Sequence, residues 1–245
     1  MSKSILITGA SSGIGRAVAE LFLAEGWQAG LIARRADKLQ EVAQGHSGAH
    51  VLPADVTDPA AVDQAVNSFA MAAGRLDVLF NNAGIFTPSG TIDEIPLEDW
   101  FASVNVNLTG MYLTARAAFR QMRQQSPQGG RIINNGSIAA HVPRPHSAPY
   151  AATKAAITGL TKSLSLDGRP FDIACGQIDI GNTRTPMVED LSQRHADANP
   201  GAEPMHTFAV KDAAKSVLHM ANLPLEANVQ FMTVMATKMP YIGRG

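Results

Sequence analysis

The chain has 245 residues, of which 45% are hydrophobic and 17% charged, with a formal net charge of −1. That balance excludes a disordered chain, which needs low hydrophobicity and high net charge, and it offers no basic footprint for nucleic acid or an anionic membrane. A single cysteine, Cys175, excludes an intrachain disulfide and a cysteine metal cluster and suits a reducing, cytoplasmic setting.

The first residues run straight into an apolar strand without a signal-peptide pattern, and no apolar run reaches the roughly 18 residues of a membrane span. Ser4–Thr8 reads as a buried strand stopped by glycine. Gly9-Ala-Ser-Ser-Gly13-Ile-Gly15 follows, and then Ile14, Ala17, Val18, Leu21 and Phe22 recur at helical spacing up to Gly26. Ala29–Ala33 is a second strand, Ala36–Gln44 a short polar helix and His50–Pro53 a third strand. Val62, Val66, Phe69 and Ala73 mark one face of a helix ended by Gly74. Leu76–Phe80 is a fourth strand, stopped by Asn81-Asn82-Ala83-Gly84.

Pro96–Gln125 reads as one long helix with Phe101, Val104, Leu108, Met111 and Ala115 on a face. Arg131–Asn135 is a strand, Ala148–Leu166 a helix and Phe171–Ile178 a strand. Val210–Ala221 is a helix and Val229–Val234 a last strand. Strand and helix alternate from end to end, which predicts an α/β fold: one doubly wound Rossmann-type parallel sheet with helices on both faces, a single domain over 1–245. Pro186–His206 carries four acids, a Pro-Gly pair and few apolar residues, so it is expected to be a mobile lid over the substrate site, around 186–206.

In open parallel sheets, ligands bind at the carboxyl ends of the strands. The loop Gly9–Gly15 lies at such an end. Glycines there let a pyrophosphate approach the backbone, and the next helix offers unpaired N–H groups. The same letters spell G-x-S-x-G, with Ser11 as a hydrolase nucleophile. Only eight residues precede Gly9, too few for the earlier strands that such an elbow needs. About 20 residues past this loop an acid would hold a ribose 2′-hydroxyl. Ala33, Arg34 and Arg35 stand there instead, and a guanidinium suits a 2′-phosphate.

Tyr150 and Lys154 are four apart at the start of a helix and share a face. A tyrosine working near neutral pH needs its pKa lowered by about 2–3 units from about 10. One cation about 4 Å away supplies about 4 kcal/mol at an effective dielectric of 20, which is the size required. Ser137, after a strand and Gly136, can hold a substrate oxygen beside the tyrosine.

Four features taken together, Thr8-Gly9-Ala-Ser-Ser-Gly13-Ile-Gly15, Asn81-Asn82-Ala83-Gly84, Ser137 and Tyr150-Ala-Ala-Thr-Lys154, resemble the motifs of the short-chain dehydrogenases/reductases, and the likeness runs over the whole chain. The resemblance implies an NAD(P)-dependent oxidoreductase acting on a small-molecule carbonyl or alcohol. It implies Tyr150 as acid/base, Lys154 as the lysine that lowers its pKa, Ser137 as the residue orienting the carbonyl and Asn107 as holder of a relay water. Gly9, Ser11, Ser12, Gly13, Ile14 and Gly15 would form the phosphate cradle, and Asp55 and Val56 would contact the adenine. Asn82, Ala83 and Gly84 would border the cofactor, Asn82 also tying the sheet. Gly181, Thr183 and Thr185 would meet the nicotinamide, although Ile180 stands where the family usually has proline. In the family's pattern Ala33 and Arg34 both point to NADP(H) over NAD(H), although Ser12 leaves out a second basic support. A homodimer or homotetramer is implied, pairing through the helices 96–125 and 148–166. A silent NADP(H)-sensing protein is the alternative, but it would have no need of Ser137, Tyr150 and Lys154. The seven histidines show no metal-ligand spacing, so no metal is expected. His141, Arg144 and His146 lie between Ser137 and Tyr150, where they could hold an anionic group or form only a polar loop.

Overall fold

The computed structural model describes residues 2–198, 200–201 and 203–242. Its strands are β1 (Ser4–Thr8), β2 (Gln28–Ala33), β3 (Ala49–Pro53), β4 (Val78–Asn81), β5 (Gly130–Asn135), β6 (Ile173–Ile180) and β7 (Phe231–Val234). All pair in parallel, in the order β3-β2-β1-β4-β5-β6-β7. The order reverses between β1 and β4, so the first and fourth strand ends open side by side.

The helices are α1 (Gly13–Ala24), α2 (Ala36–Ala43), α3 (Pro59–Ala73), α4 (Leu97–Val104), α5 (Met111–Gln124), α6 (Ala148–Gly168), α7 (Pro186–Ala198) and α8 (Val210–Asn222). Alternation along β1 decides which layer each side chain serves. Ile5 and Ile7 pack with Val18 and Phe22 of α1 and Val217 and Met220 of α8. Leu6 packs on the other face with Val66 and Phe69 of α3 and Met122 of α5. The two layers thus bury both faces of the sheet, as the near-continuous apolar strands require.

Two expectations change. The helix expected over 96–125 is three segments, because a π-helical turn spans Asn105–Gly110 between α4 and α5. Gly110 lies against β3's exit, where a Cβ would stand 2.8 Å from Val56 Cγ2, and the Asn107 side chain is tied outside the helix. A widened turn accommodates both.

The stretch expected to be irregular begins with a helix, α7, instead. Thr185 Oγ1 accepts the Val188 N–H at 3.3 Å, and Pro186 opens the first turn. That is an N-cap followed by a proline whose missing N–H costs nothing there. The acids that looked loop-like support the helix, as in the Asp190–Arg194 pair at 2.7 Å. Positions 199 and 202 of the expected lid lie outside the described residues.

Arg131 is 1% exposed at the start of β5. Its guanidinium donates to Asn228 Oδ1 and to the carbonyls of Leu223, Pro224 and Ala227, all at 2.9–3.1 Å. It thereby ties the sheet to the α8–β7 connection. Arg131→Met removes the donor from these part-buried acceptors and should destabilise the fold by about 1–3 kcal/mol in urea unfolding; an unchanged midpoint would show that water replaces the guanidinium.

Candidate active site

A cleft of about 510 Å³ opens across the carboxyl ends of β1, β2, β4, β5 and β6. Its floor is a chain of polar contacts. Thr8 Oγ1 accepts the N–H groups of Asn82 and Ala83 at 2.8 and 2.9 Å. Asn82 Nδ2 donates to the Thr8 carbonyl at 2.9 Å, and its Oδ1 accepts from Asn135 Nδ2 at 2.9 Å. The Asn135 carbonyl in turn accepts from Lys154 Nζ at 2.7 Å. Side chains from β1, β4, β5 and α6 are thus locked in one row.

The glycine loop is shaped by this row. Gly9 has φ +69°, and a Cβ there would meet Asn82 Nδ2 at 2.9 Å. A Cβ on Gly15 would overlap the Gly9 carbonyl. Gly13, at φ +55°, takes the left-handed backbone that favours glycine, opposite Thr185. Ser12 caps α1 only in position, with no side-chain hydrogen bond. The helix therefore presents uncapped N–H groups toward the cleft, a donor set suited to phosphate.

At the far end of this cleft stand Arg34 and Arg35, both exposed, beside Ala33. Arg35 reaches Ser11 Oγ at 3.5 Å; the family pattern singles out Arg34 of the two. Ser11 therefore meets a guanidinium, not the histidine a hydrolase elbow requires. The Thr57 N–H holds the Asp55 carboxyl below the usual carboxylate range, with burial opposing and Arg34 assisting. Ile14, Val56, Ala83 and Gly84 also line the walls. Gly15 lies beneath the loop.

At the other end the structure gathers Ser137, Tyr150, Lys154 and Asn107. Ser137 is 6% exposed, and its Oγ accepts the Ala139 N–H at 3.1 Å. Its hydroxyl stands beside the Tyr150 phenol and favours the ionised form. Phe86 packs on the Tyr150 ring with centroids 5.0 Å apart. Asn107 spends its side chain on Ile85, accepting from the N–H at 2.7 Å and donating to the carbonyl at 2.9 Å.

The electrostatics differ from the sequence expectation. Lys154 was expected to pull the Tyr150 pKa down; burial instead pushes the phenol above its ordinary value, with the Ser137 hydrogen bond and the Arg144 charge opposing and the Asp179 charge adding to the rise. The reason is that Lys154 is itself buried, its Nζ on the Asn135 carbonyl and 5.7 Å from the Tyr150 ring centroid. Burial brings its ammonium down to about 8, against the upward pull of Asp179.

Asp179 is the residue that the sequence pattern passed over. It is 1% exposed at the end of β6, one residue beyond the expected strand. An acid closing an apolar, fully buried strand was the available signal. Past it, Thr183 donates to the Gly181 carbonyl at 3.1 Å, and Gly181, Thr183 and Thr185 all line the cleft. Arg144 donates to Asn182 Oδ1. His146 lies apart from the cleft wall. Among the described residues no group of three His, Cys, Asp or Glu could hold a metal, and no helix is long and apolar enough to cross a membrane.

A family model described as short chain dehydrogenase matches residues 3–196. A 2,3-dihydro-2,3-dihydroxybenzoate dehydrogenase of Bacillus subtilis is 37% identical over 206 residues, covering 82% of this chain and 76% of its own. A 3beta-hydroxysteroid dehydrogenase of Mediterraneibacter gnavus is 34% identical over 83% of this chain and 76% of its own. Among solved structures, a 3-ketoacyl-(acyl-carrier-protein) reductase from Brucella melitensis complexed with NADH superposes with a TM-score of 0.85 at 27% identity, covering 95% and 96% of the two chains.

The buried ammonium gives the site a pH signature. The Lys154 pKa is lowered on folding from 10.5 to about 8, so between these values the unfolded chain binds more protons. Its burial penalty is full below pH 8 and is relieved as pH rises. Stability of the parent relative to Lys154→Met should therefore climb by up to about 3 kcal/mol between pH 7 and 10, read by urea unfolding; a flat difference would mean the ammonium keeps its solution pKa.

Proposed function

The chain belongs to the short-chain dehydrogenase family of oxidoreductases, and from that premise we propose that it is an NADP(H)-dependent enzyme interconverting a carbonyl and a secondary alcohol, with Tyr150 as general acid and base. The observation that carries this is the convergence of Ser137, Tyr150 and Lys154 at one end of a cleft whose other end has an open glycine loop and two arginines. The fit to a dinucleotide rests on the uncapped α1 terminus, the glycine loop packed down on Asn82 at the cleft's edge, and the buried Asn135 Oδ1, which has no protein partner. Hydride exchange is what a bound nicotinamide nucleotide supplies, together with a positive charge in its oxidised form.

The protein's own groups do the rest. Ser137 holds the substrate oxygen and Tyr150 protonates it. With its pKa raised, the phenol is protonated at neutral pH, which favours the direction of reduction. Lys154 Nζ and Asn107 Oδ1 both approach Gly84, where a Cβ would lie 3.9 and 3.3 Å from them. These groups mark the inner side on which the proton is replaced. Phe86, Met187 and Leu191 wall the space beside Ser137 and Tyr150. On this reading α7 is the lid over a single-domain enzyme. Exposed Phe101, Tyr112 and Leu166, on α4, α5 and α6, support assembly into a homodimer or homotetramer.

The neighbouring reductase carries NADH, so family likeness leaves the cofactor open. The reading as NADP(H) rests on Ala33, Arg34 and Arg35: no acid repels a 2′-phosphate, and two guanidinium groups can pair with it. Fluorescence titration should show NADPH binding at least about tenfold tighter than NADH, a gap of about 1.4 kcal/mol. Ala33→Asp with Arg34→Ala should narrow or reverse that gap, and equal affinities in the parent would refute the phosphate reading. Tyr150→Phe should lower turnover by about 10²–10⁴-fold while leaving NADPH affinity within about tenfold; near-normal turnover would remove the tyrosine from its role.

A further inference from the structure

Asp179 is the one charged side chain in the buried stretch of β6, and its surroundings are built for it. Oδ1 accepts the Ser137 N–H at 2.9 Å and Gln177 Nε2 at 2.8 Å. Oδ2 meets His141 Nε2 at 3.0 Å. Any side chain at residue 136 would overlap this carboxylate, so Gly136 keeps the space. Gln177 is itself held by Thr158 and Thr161 of α6, at 3.1 and 3.0 Å. Three N–H donors are the arrangement a carboxylate needs when buried.

Among the described residues, the charged and titratable groups around it are Tyr150 and Lys154 on α6 and His141 and Arg144 on the loop after β5. Its negative charge acts on both Tyr150 and Lys154. His141 is 43% exposed on its side chain and joins the carboxylate to solvent. A neutral asparagine would satisfy the Ser137 N–H equally well. Keeping a charge there, at the desolvation cost of a buried ion, implies that the charge itself is used.

We propose that Asp179 is a positioning residue of this site: it fixes Ser137 through the backbone N–H and supplies the buried negative charge behind Tyr150 and Lys154, with His141 as its solvent-side partner. The inference rests on the proposed function only in naming what is tuned. The charge keeps the tyrosine in its proton-donating form and stabilises the ammonium of Lys154.

The test follows tyrosine ionisation, not turnover. In the full chain with Tyr112→Phe and Tyr241→Phe, Tyr150 is the only tyrosine, and its ionisation can be titrated by ultraviolet absorbance. Asp179→Asn keeps an acceptor for the Ser137 N–H and removes the charge. It should lower the Tyr150 midpoint by at least about one pH unit, a tenfold rise in the acid dissociation constant. His141→Arg, at an exposed position, sets a permanent cation against Oδ2 and should shift the midpoint the same way by a smaller amount. Midpoints within about 0.3 units of the parent in natively folded variants, by circular dichroism, would overturn the proposal. If Asp179→Asn does not fold, His141→Arg decides alone. Because no substrate enters the measurement, a failure of the enzyme reading would show separately, as absence of NADPH-dependent carbonyl reduction by the parent chain.

Discussion

Parallel strands end with backbone groups that no further ladder can pair, and this sheet satisfies them with side chains from neighbouring strands. Thr8 and Asn82 do this at the ends of β1 and β4, Asn135 of β5 holds the Asn82 side chain, and Lys154 of α6 closes the row on the Asn135 carbonyl. The row costs the interior several buried polar atoms. It holds the floor of the cleft in one register, so that the glycine loop, the strand ends and the tyrosine helix keep fixed distances. Gly9 and Gly15 are glycines because this row comes close to them.

The same burial sets the chemistry. A phenol and an ammonium withdrawn from water are both driven toward their neutral forms, one upward and the other down to about 8. Proximity of the two on one helix face is therefore not enough to define their behaviour. The lysine's hydrogen bond to Asn135, the serine's contact with the phenol and the carboxylate of Asp179 together decide the balance. The i, i+4 spacing identifies the partners; the local dielectric decides the direction of the shift.

Much of the architecture was legible because a doubly wound sheet writes itself as apolar runs alternating with periodic ones. All seven strands were expected within about two residues of their observed ends; β1 matches at both ends, whereas β4 runs from Val78 and not from Leu76. The misses have definite causes. A π turn leaves helical periodicity almost intact, so nothing along 96–125 betrays the widened turn that Gly110 and Asn107 make. The acids of α7 read as loop because they stand beside a Pro-Gly pair and few large apolar residues over 186–206, while the Thr185-Pro186 start of the helix is a short local signal. The contact of Arg35 with Ser11 appeared only when β2's exit was placed over the glycine loop.

Sequence alone determined the order of elements and the residue types at the strand ends, because periodicity and glycine placement are local properties of a chain. Tertiary structure decided what those residues do to one another. Asp179 lies 42 residues from Ser137 and 38 from His141 along the chain, and no spacing rule joins them. They meet because β5 and β6 are neighbours in the sheet, and burial there makes the Asp179 charge felt at Tyr150 and Lys154. Hydrogen-bond partners, desolvation and the sign of a pKa shift depend on three-dimensional neighbours, which a one-dimensional pattern does not contain.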